Sequence, residues 1–406
     1  MKKLFLLLSL FLGAHSAWAH DAEVDGIFYN LFEGSQCATV TFQGEEYNSV
    51  QNEYTGDVVV PATFTLDGVV YSVTGVEAHS FQDCTELTSV TLPNSVQTIG
   101  AECFSKCSSL TSVKLPNSLL SLEEYCFSDC YSLASIDIPE SVVDIGRNCF
   151  GGCTALTSVT IPESVLSIGR DCFWYCSSLS SATILGPIEK LPNGIFYHTA
   201  LTSFKVPESV TVMENDCFNW CTQLASIEIP SSVTSIGSSC FRYCTSLASI
   251  QLPGSLTILN ENIFENCTSL TSIDIPNSVT VLDNAYFIRC EGLTSITIPN
   301  SVKIIGTKSF EGCLNLQSVK LSESLEEIGG CAFRSCHALT SITIPNTVTF
   351  IGGEAFAGCV SLASVKLPNT IKELSNHTFN ECTSLTSVTI PNSVKNIYDG
   401  CFLNCI

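Results

Sequence analysis

Phenylalanine keeps time in this chain. It recurs at Phe81, Phe104, Phe127, Phe150, Phe173, Phe196, Phe218, Phe241, Phe264, Phe287, Phe310, Phe333, Phe356, Phe379 and Phe402. Every interval is 23 residues except the 22-residue step from Phe196 to Phe218. Chance does not hold one phase over so long a span, so the chain is built from copies of one short unit. That excludes most ordinary globular folds before any composition is considered.

Residues 268–290, TSLTSIDIPNSVTVLDNAYFIRC, show the unit. Leu270, Ile273 and Ile275 alternate with polar Thr271, Ser272 and Asp274, the pattern of a short strand with one buried face. Pro276 ends that strand, since proline cannot donate to a ladder. Twelve of the fifteen prolines of the chain take this one position. Asn277-Ser278 supplies turn chemistry, and Val279 and Leu282 begin a second extended piece. Glycine follows in many copies (Gly100, Gly146, Gly169, Gly237, Gly306), which reads as a tight corner. A short helical or 3₁₀ turn holding Phe287 and Cys290 is expected to close the coil.

One such coil buries too little to offset the ordering of its own backbone. It must share its core with coils above and below, which is the logic of a solenoid. The expected fold is a β-rich, right-handed repeat solenoid over residues 77–406. Fifteen coils at the strand spacing of about 4.8 Å would make a rod or arc about 70 Å long. Segments such as Leu156–Gly169 (LTSVTIPESVLSIG), followed by a Cys-Phe-x-x-Cys turn, resemble the BspA-like leucine-rich repeat family of bacterial surface proteins. The resemblance spans about residues 77–406 and departs from eukaryotic-style repeats, because no Asn ladder follows the strand. It implies an exported or cell-surface protein engaged in adhesion.

The flanks read differently. Lys2 and Lys3 precede the apolar run Leu4–Leu12, and small residues lead to Ala17-Trp18-Ala19, so residues 1–19 are expected to be a secretory signal peptide. The run is too short for a membrane span, and no membrane insertion is expected after cleavage. Residues 20–76 contain three strand-like stretches, 25–31, 37–43 and 69–76, and are expected to form a small β cap over the first coil. The chain stops at Cys405-Ile406, so no C-terminal cap is expected.

Charge narrows the partners. The formal charge of −22 argues against nucleic acid and anionic membranes, both of which need a cationic footprint. Of the 23 cysteines, fourteen sit three residues after the repeat Phe and seven directly before it. A Phe between each pair and strict repetition favour buried thiols packing as small hydrophobes. Disulfides and a metal site are the rival readings. On the packing reading, Cys267→Ser is expected to cost about 1–3 kcal/mol by burying a hydroxyl without a partner. No hydrolase, zinc-protease, P-loop or calcium-loop motif is present, so no catalytic residue, metal or cofactor is assigned.

The repeat breaks once. Between Phe173 and Phe218, Leu185 replaces the strand-end Pro, Pro187 and Pro192 are added, Thr199 replaces the repeat Cys and one residue is lost. Around this break the two positions after the repeat Phe turn aromatic: Trp174-Tyr175, Tyr197-His198, Asn219-Trp220 and Arg242-Tyr243. If Phe and Cys point inward, these side chains form an exposed stacked row, and exposed aromatic clusters mark binding sites. Trp174, Tyr175, Tyr197, His198, Trp220, Arg242 and Tyr243 are therefore the candidate ligand-binding residues; the competing view is neutral drift on a repeat surface. The functional expectation is a non-catalytic secreted or surface adhesion protein for an extracellular protein or glycan. A structural surface spacer and the binding portion of a glycan-utilisation system are the alternatives.

Overall fold

A column of phenylalanine rings runs through the molecule. The computed structural model describes residues 20–44, 52–256, 258–282 and 284–405, so the expected signal peptide lies outside the described residues. From Phe81 to Phe402 each repeat ring stacks on the next, with centroids 5.0–5.7 Å apart and planes within 27° of parallel. The leucine of the first strand and the Val and Ile of the second join it, giving one continuous core. The repeats thus form one β-solenoid.

The corner around each Phe is not helical, contrary to the expected helical or 3₁₀ turn. Two residues before and two after every repeat Phe the backbone takes positive φ, as at Glu102 (55°) and Lys106 (61°) around Phe104. Left-handed residues this close together prevent a right-handed helical turn from propagating. The N–H groups turn to the next coil instead. Phe104 donates to the Cys126 carbonyl at 2.8 Å and Lys106 to the Ser128 carbonyl at 2.7 Å, and the same pair of bonds recurs along the rod.

The strands pair in parallel at the repeat spacing, Ser158–Ile161 with Ser181–Ile184 and Ser203–Lys205 with Ser226–Glu228. The second strands form longer ladders, as in Ser121–Leu122, Asp144–Ile145 and Ser167–Ile168. The first-strand sheet is broken into short runs. Its cross-coil bonds stretch to 3.3 Å at Thr157–Ala134 and 3.4 Å at Thr294–Thr271, against 2.9 Å at Thr111–Thr88.

Where glycine follows the second strand, the coils approach too closely for a Cβ and no positive φ is involved, although Glu123, Glu214 and Ser375 hold the same position in other coils. A Cβ on Gly169 would lie 2.3 Å from the Arg147 nitrogen, and one on Gly146 would lie 2.5 Å from the Glu124 nitrogen. Backbone atoms cannot swing aside, so Gly169→Ala is expected to destabilise by about 1–3 kcal/mol through overpacking. Urea denaturation checks this; an unchanged midpoint would show that the coils separate freely there.

Three strands before the first coil continue the same ladders. Cys37–Val40 pairs in parallel with Val69–Val76, whose end pairs in parallel with Thr98–Ile99 of the first coil. Gly56–Val59 pairs in parallel with Leu87–Thr91. Antiparallel strands Ala22–Val24, Ile27–Phe32 and Thr63–Leu66 complete this part. Tyr54 lies over the first ring, 4.5 Å from Phe81, and its hydroxyl donates to the Thr41 carbonyl at 2.7 Å.

Candidate binding surface

The cysteines resolve into a thiol ladder. Thirteen of those three residues after the repeat Phe donate S–H to the carbonyl of the preceding coil's Phe, with Sγ–O distances of 2.9–3.3 Å. All 23 cysteines are unpaired, and all but Cys37, Cys331 and Cys405 are buried. Among the described residues no group of three or more His, Cys, Asp or Glu is placed to hold a metal ion.

The ladder changes the expectation for Cys267. Its Sγ lies 3.1 Å from the Phe241 carbonyl, so a serine hydroxyl there would find an acceptor. Thr199, at the equivalent position, donates instead to the Phe196 carbonyl of its own coil at 3.0 Å, so a hydroxyl buried here has a second acceptor within reach. Cys267→Ser is therefore expected to cost less than about 1 kcal/mol, and Cys267→Ala about 1–2 kcal/mol through the lost bond and lost volume. Parallel melts of the two variants check the order; Ser worse than Ala would refute it.

The aromatic residues of coils 173–243 come together on one edge. The residues two after the Phe make a row: Tyr175–His198 centroids lie 4.4 Å apart, His198–Trp220 6.1 Å and Trp220–Tyr243 4.2 Å. The outer pairs are nearly parallel, at 5° and 15°, and the middle pair opens to 30°. Beside the row, Trp174 lies 6.3 Å from Tyr197 and leans on Tyr175 at 4.2 Å. Trp174 is 40% exposed, and Tyr175 and Trp220 are each 38% exposed. Tyr197, His198, Arg242 and Tyr243 are half-buried, while Asn219 is buried and donates from Nδ2 to Asp216 Oδ1 at 2.7 Å.

Burial and Tyr175 push the Tyr197 phenol up, and one carboxylate, Asp216, reaches the rings and adds to that push. Asp171 and Asp216 stand two residues before their Phe, with side-chain-free Gly194 between them in the column. A Cβ on Gly194 would lie 2.4 Å from Asp171 Oδ1, so that carboxylate overhangs the glycine. Burial pushes the Asp171 carboxyl up; Arg170 and Arg147 pull it down, and Asp216 adds to the upward push. Arg242 is held by Glu265, Nε to Oε2 at 2.8 Å, and its guanidinium sits 5.1 Å from the Tyr243 ring centre. Arg147 lies over Tyr125 in the same way, at 5.3 Å.

Two surface features escaped the sequence reading. Ser118, Ser141, Ser209, Ser232 and Ser255, at the turn position that Ser278 holds in its own repeat, donate to carbonyls of the preceding coil at 2.6–2.8 Å. Leu120, Val143 and Leu166, each directly before a second strand, form an exposed aliphatic column joined by backbone bonds of 2.9 Å. Their shared offset from the Phe column was a usable signal for this second feature.

Comparison with known proteins agrees with this architecture. The family described as "BspA type Leucine rich repeat region (6 copies)" matches residues 74–199, 189–316 and 282–406. No curated protein sequence matches the chain. A leucine-rich repeat protein from Bacteroides ovatus is 30% identical, with a TM-score of 0.83 over 93% of this chain and all of that one. A leucine rich cell surface protein from Faecalibacterium prausnitzii is 27% identical, with a TM-score of 0.54 over 93% of each chain. A leucine-rich repeat protein from Eubacterium ventriosum, 22% identical with a TM-score of 0.54 over 82% of this chain and 93% of that one, shares the fold. With the family match spanning the whole repeat array, this chain belongs to the BspA-type leucine-rich repeat proteins.

Proposed function

We propose that this protein is a secreted or cell-surface adhesion module that binds an extracellular protein or glycan, without catalysis, through the ring row on coils 173–243. One observation carries the reading. Tyr175, His198, Trp220 and Tyr243 all stand at the left-handed corner, with φ of 56–64°. For a bulky residue this backbone is an outlier, and a left-handed L-residue costs roughly 1–2 kcal/mol. Equivalent corners elsewhere carry glycine, as at Gly152, Gly312 and Gly358, or polar residues such as Asp83, Lys106, Asn266, Arg289 and Glu381, and none of them is aromatic. The conformation is common to every coil, but four successive aromatic residues in it, partly open to solvent, are what a binding row would retain and a spacer would not need. The cell-surface description of the Faecalibacterium relative agrees with display outside the cell. Among the described residues no helix is long and apolar enough to cross a membrane.

The test separates strain from binding. Trp220→Asn is expected to leave the melting temperature unchanged or slightly raised, because Asn tolerates this backbone. The same change is expected to weaken capture on extracellular-matrix and glycan arrays by more than about 1 kcal/mol, as loss of an aromatic anchor does. Asn266→Ala, one coil beyond Tyr243, should bind as the parent does. Equal capture by the Trp220 and Asn266 variants would leave the spacer reading. Capture confined to Trp220-dependent glycans would favour the glycan-utilisation alternative.

A further inference from the structure

The geometry of the row also constrains what it receives. Resting on the binding role proposed above, we infer that the partner is a protein segment presenting arginine, whose guanidinium enters the opening between His198 and Trp220. The row consists of two stacked pairs, Tyr175–His198 and Trp220–Tyr243, separated by a 6.1 Å opening splayed at 30°. That opening falls where the repeat is one residue short, between Phe196 and Phe218. A planar group packed between two rings needs about 7 Å, two carbon contact distances. Because 6.1 Å is the centroid distance of two tilted rings, their faces have to part by at least about 1 Å, by rotation of the side chains, to admit it.

Three observations select guanidinium. First, ring faces within each pair are turned on each other, so the row offers edges and one opening rather than broad free faces. A pyranose that packs flat on an aromatic ring finds little there, whereas a thin planar cation fits the opening. Second, Asp216 lies close enough to Tyr197 to add to the upward push of burial on its phenol, Asp171 stands two coils from it in the same column, and the chain as a whole carries −22. A cation near the two carboxylates offsets the repulsion between them. Third, the solenoid already uses this contact internally, with Arg242 over Tyr243 and Arg147 over Tyr125. Guanidinium stacks on aromatic faces and pairs with carboxylates in a planar fork, which an ammonium does not.

Titration of the full chain with acetyl-(Gly-Arg)₃-amide, acetyl-(Gly-Lys)₃-amide and maltohexaose tests the inference. Calorimetry gives affinity, and tryptophan emission reports on Trp174 and Trp220. The arginine peptide is expected to bind about tenfold more tightly than the lysine peptide, a difference of about 1.4 kcal/mol. That preference should vanish in Trp220→Ala and His198→Ala and survive in Asn266→Ala, with circular dichroism confirming that each variant is folded. Equal binding of the two peptides, or no binding of the arginine peptide, overturns the inference. Trp220-dependent binding of maltohexaose alone overturns it while leaving the binding role intact. Array capture that ignores Trp220 overturns that role as well.

Discussion

Raising the pH from 8 to about 10.5 is expected to unfold the solenoid, with the loss beginning below the range in which lysines and tyrosines titrate. The cause is the thiol columns. Burial pushes Cys401 up to about 11, and Cys84, Cys221 and Cys382 up to about 12. It also pushes Cys103, Cys130, Cys149, Cys176 and Cys244 well above the ordinary thiol value. An unfolded thiol ionises near 8.5. Below that value both states hold the proton, and the thiols place no pH dependence on folding. Above it the unfolded chain sheds protons that the folded chain keeps, so stability falls by about 1.4 kcal/mol per thiol per pH unit until the folded values are reached. About ten thiols released together would remove some 14 kcal/mol in one unit, the upper end of ordinary domain stability. The Tyr54 phenol, also raised by burial, joins only above about pH 10. Far-UV circular dichroism with reductant present, followed by return to pH 8, measures the transition. Substituting Ala at Cys103, Cys126, Cys149 and Cys172, as Ala332 and Ala355 occur natively one residue before their Phe, should move the midpoint upward. A fold intact at pH 11.5 would mean that the thiols are not buried as described.

The sequence carried more of the core than of the corner, for a physical reason. A side chain that must face inward in every coil is restricted to Phe, Cys, Leu, Val or Ile, and fifteen copies make the restriction visible. The left-handed corner leaves no comparable trace. Asp83, Lys106, Tyr175, Trp220, Arg289 and Glu381 all occupy it, because cross-coil backbone bonds impose the conformation and side-chain preference does not. The expectation of a helical turn failed there. The thiol donors were hidden for a related reason, since a cysteine packing as a hydrophobe and one donating to a carbonyl repeat identically. The ring row could be located from the period alone, as residues at one offset must fall in one column. Its internal pairing could not, because it depends on the one-residue deletion and on rotamers.

Phe241→Ala is expected to cost about 3–5 kcal/mol, the usual range for removing a buried aromatic ring. Phe241 has a ring on each side, Phe218 at 5.7 Å and Phe264 at 5.7 Å, and no exposure. A globular core can partly collapse around such a gap. A solenoid coil has less freedom, because its backbone is tied to both neighbours, Phe241 to the Ile263 carbonyl at 3.0 Å and Phe218 to the Cys240 carbonyl at 2.9 Å. The cavity should therefore stay open and the loss stay local, weakening the interfaces on either side of one coil. Hydrogen exchange should then accelerate in residues 218–264 first. Phe402→Ala supplies the contrast: that ring is half-buried and has one described neighbour, Phe379 at 5.5 Å, so its loss should cost about half as much. Equal losses at the two positions would mean that the rings are not coupled in a column. Urea unfolding that remains a single sharp step in Phe241→Ala, without local exchange, would instead make the whole rod one cooperative unit.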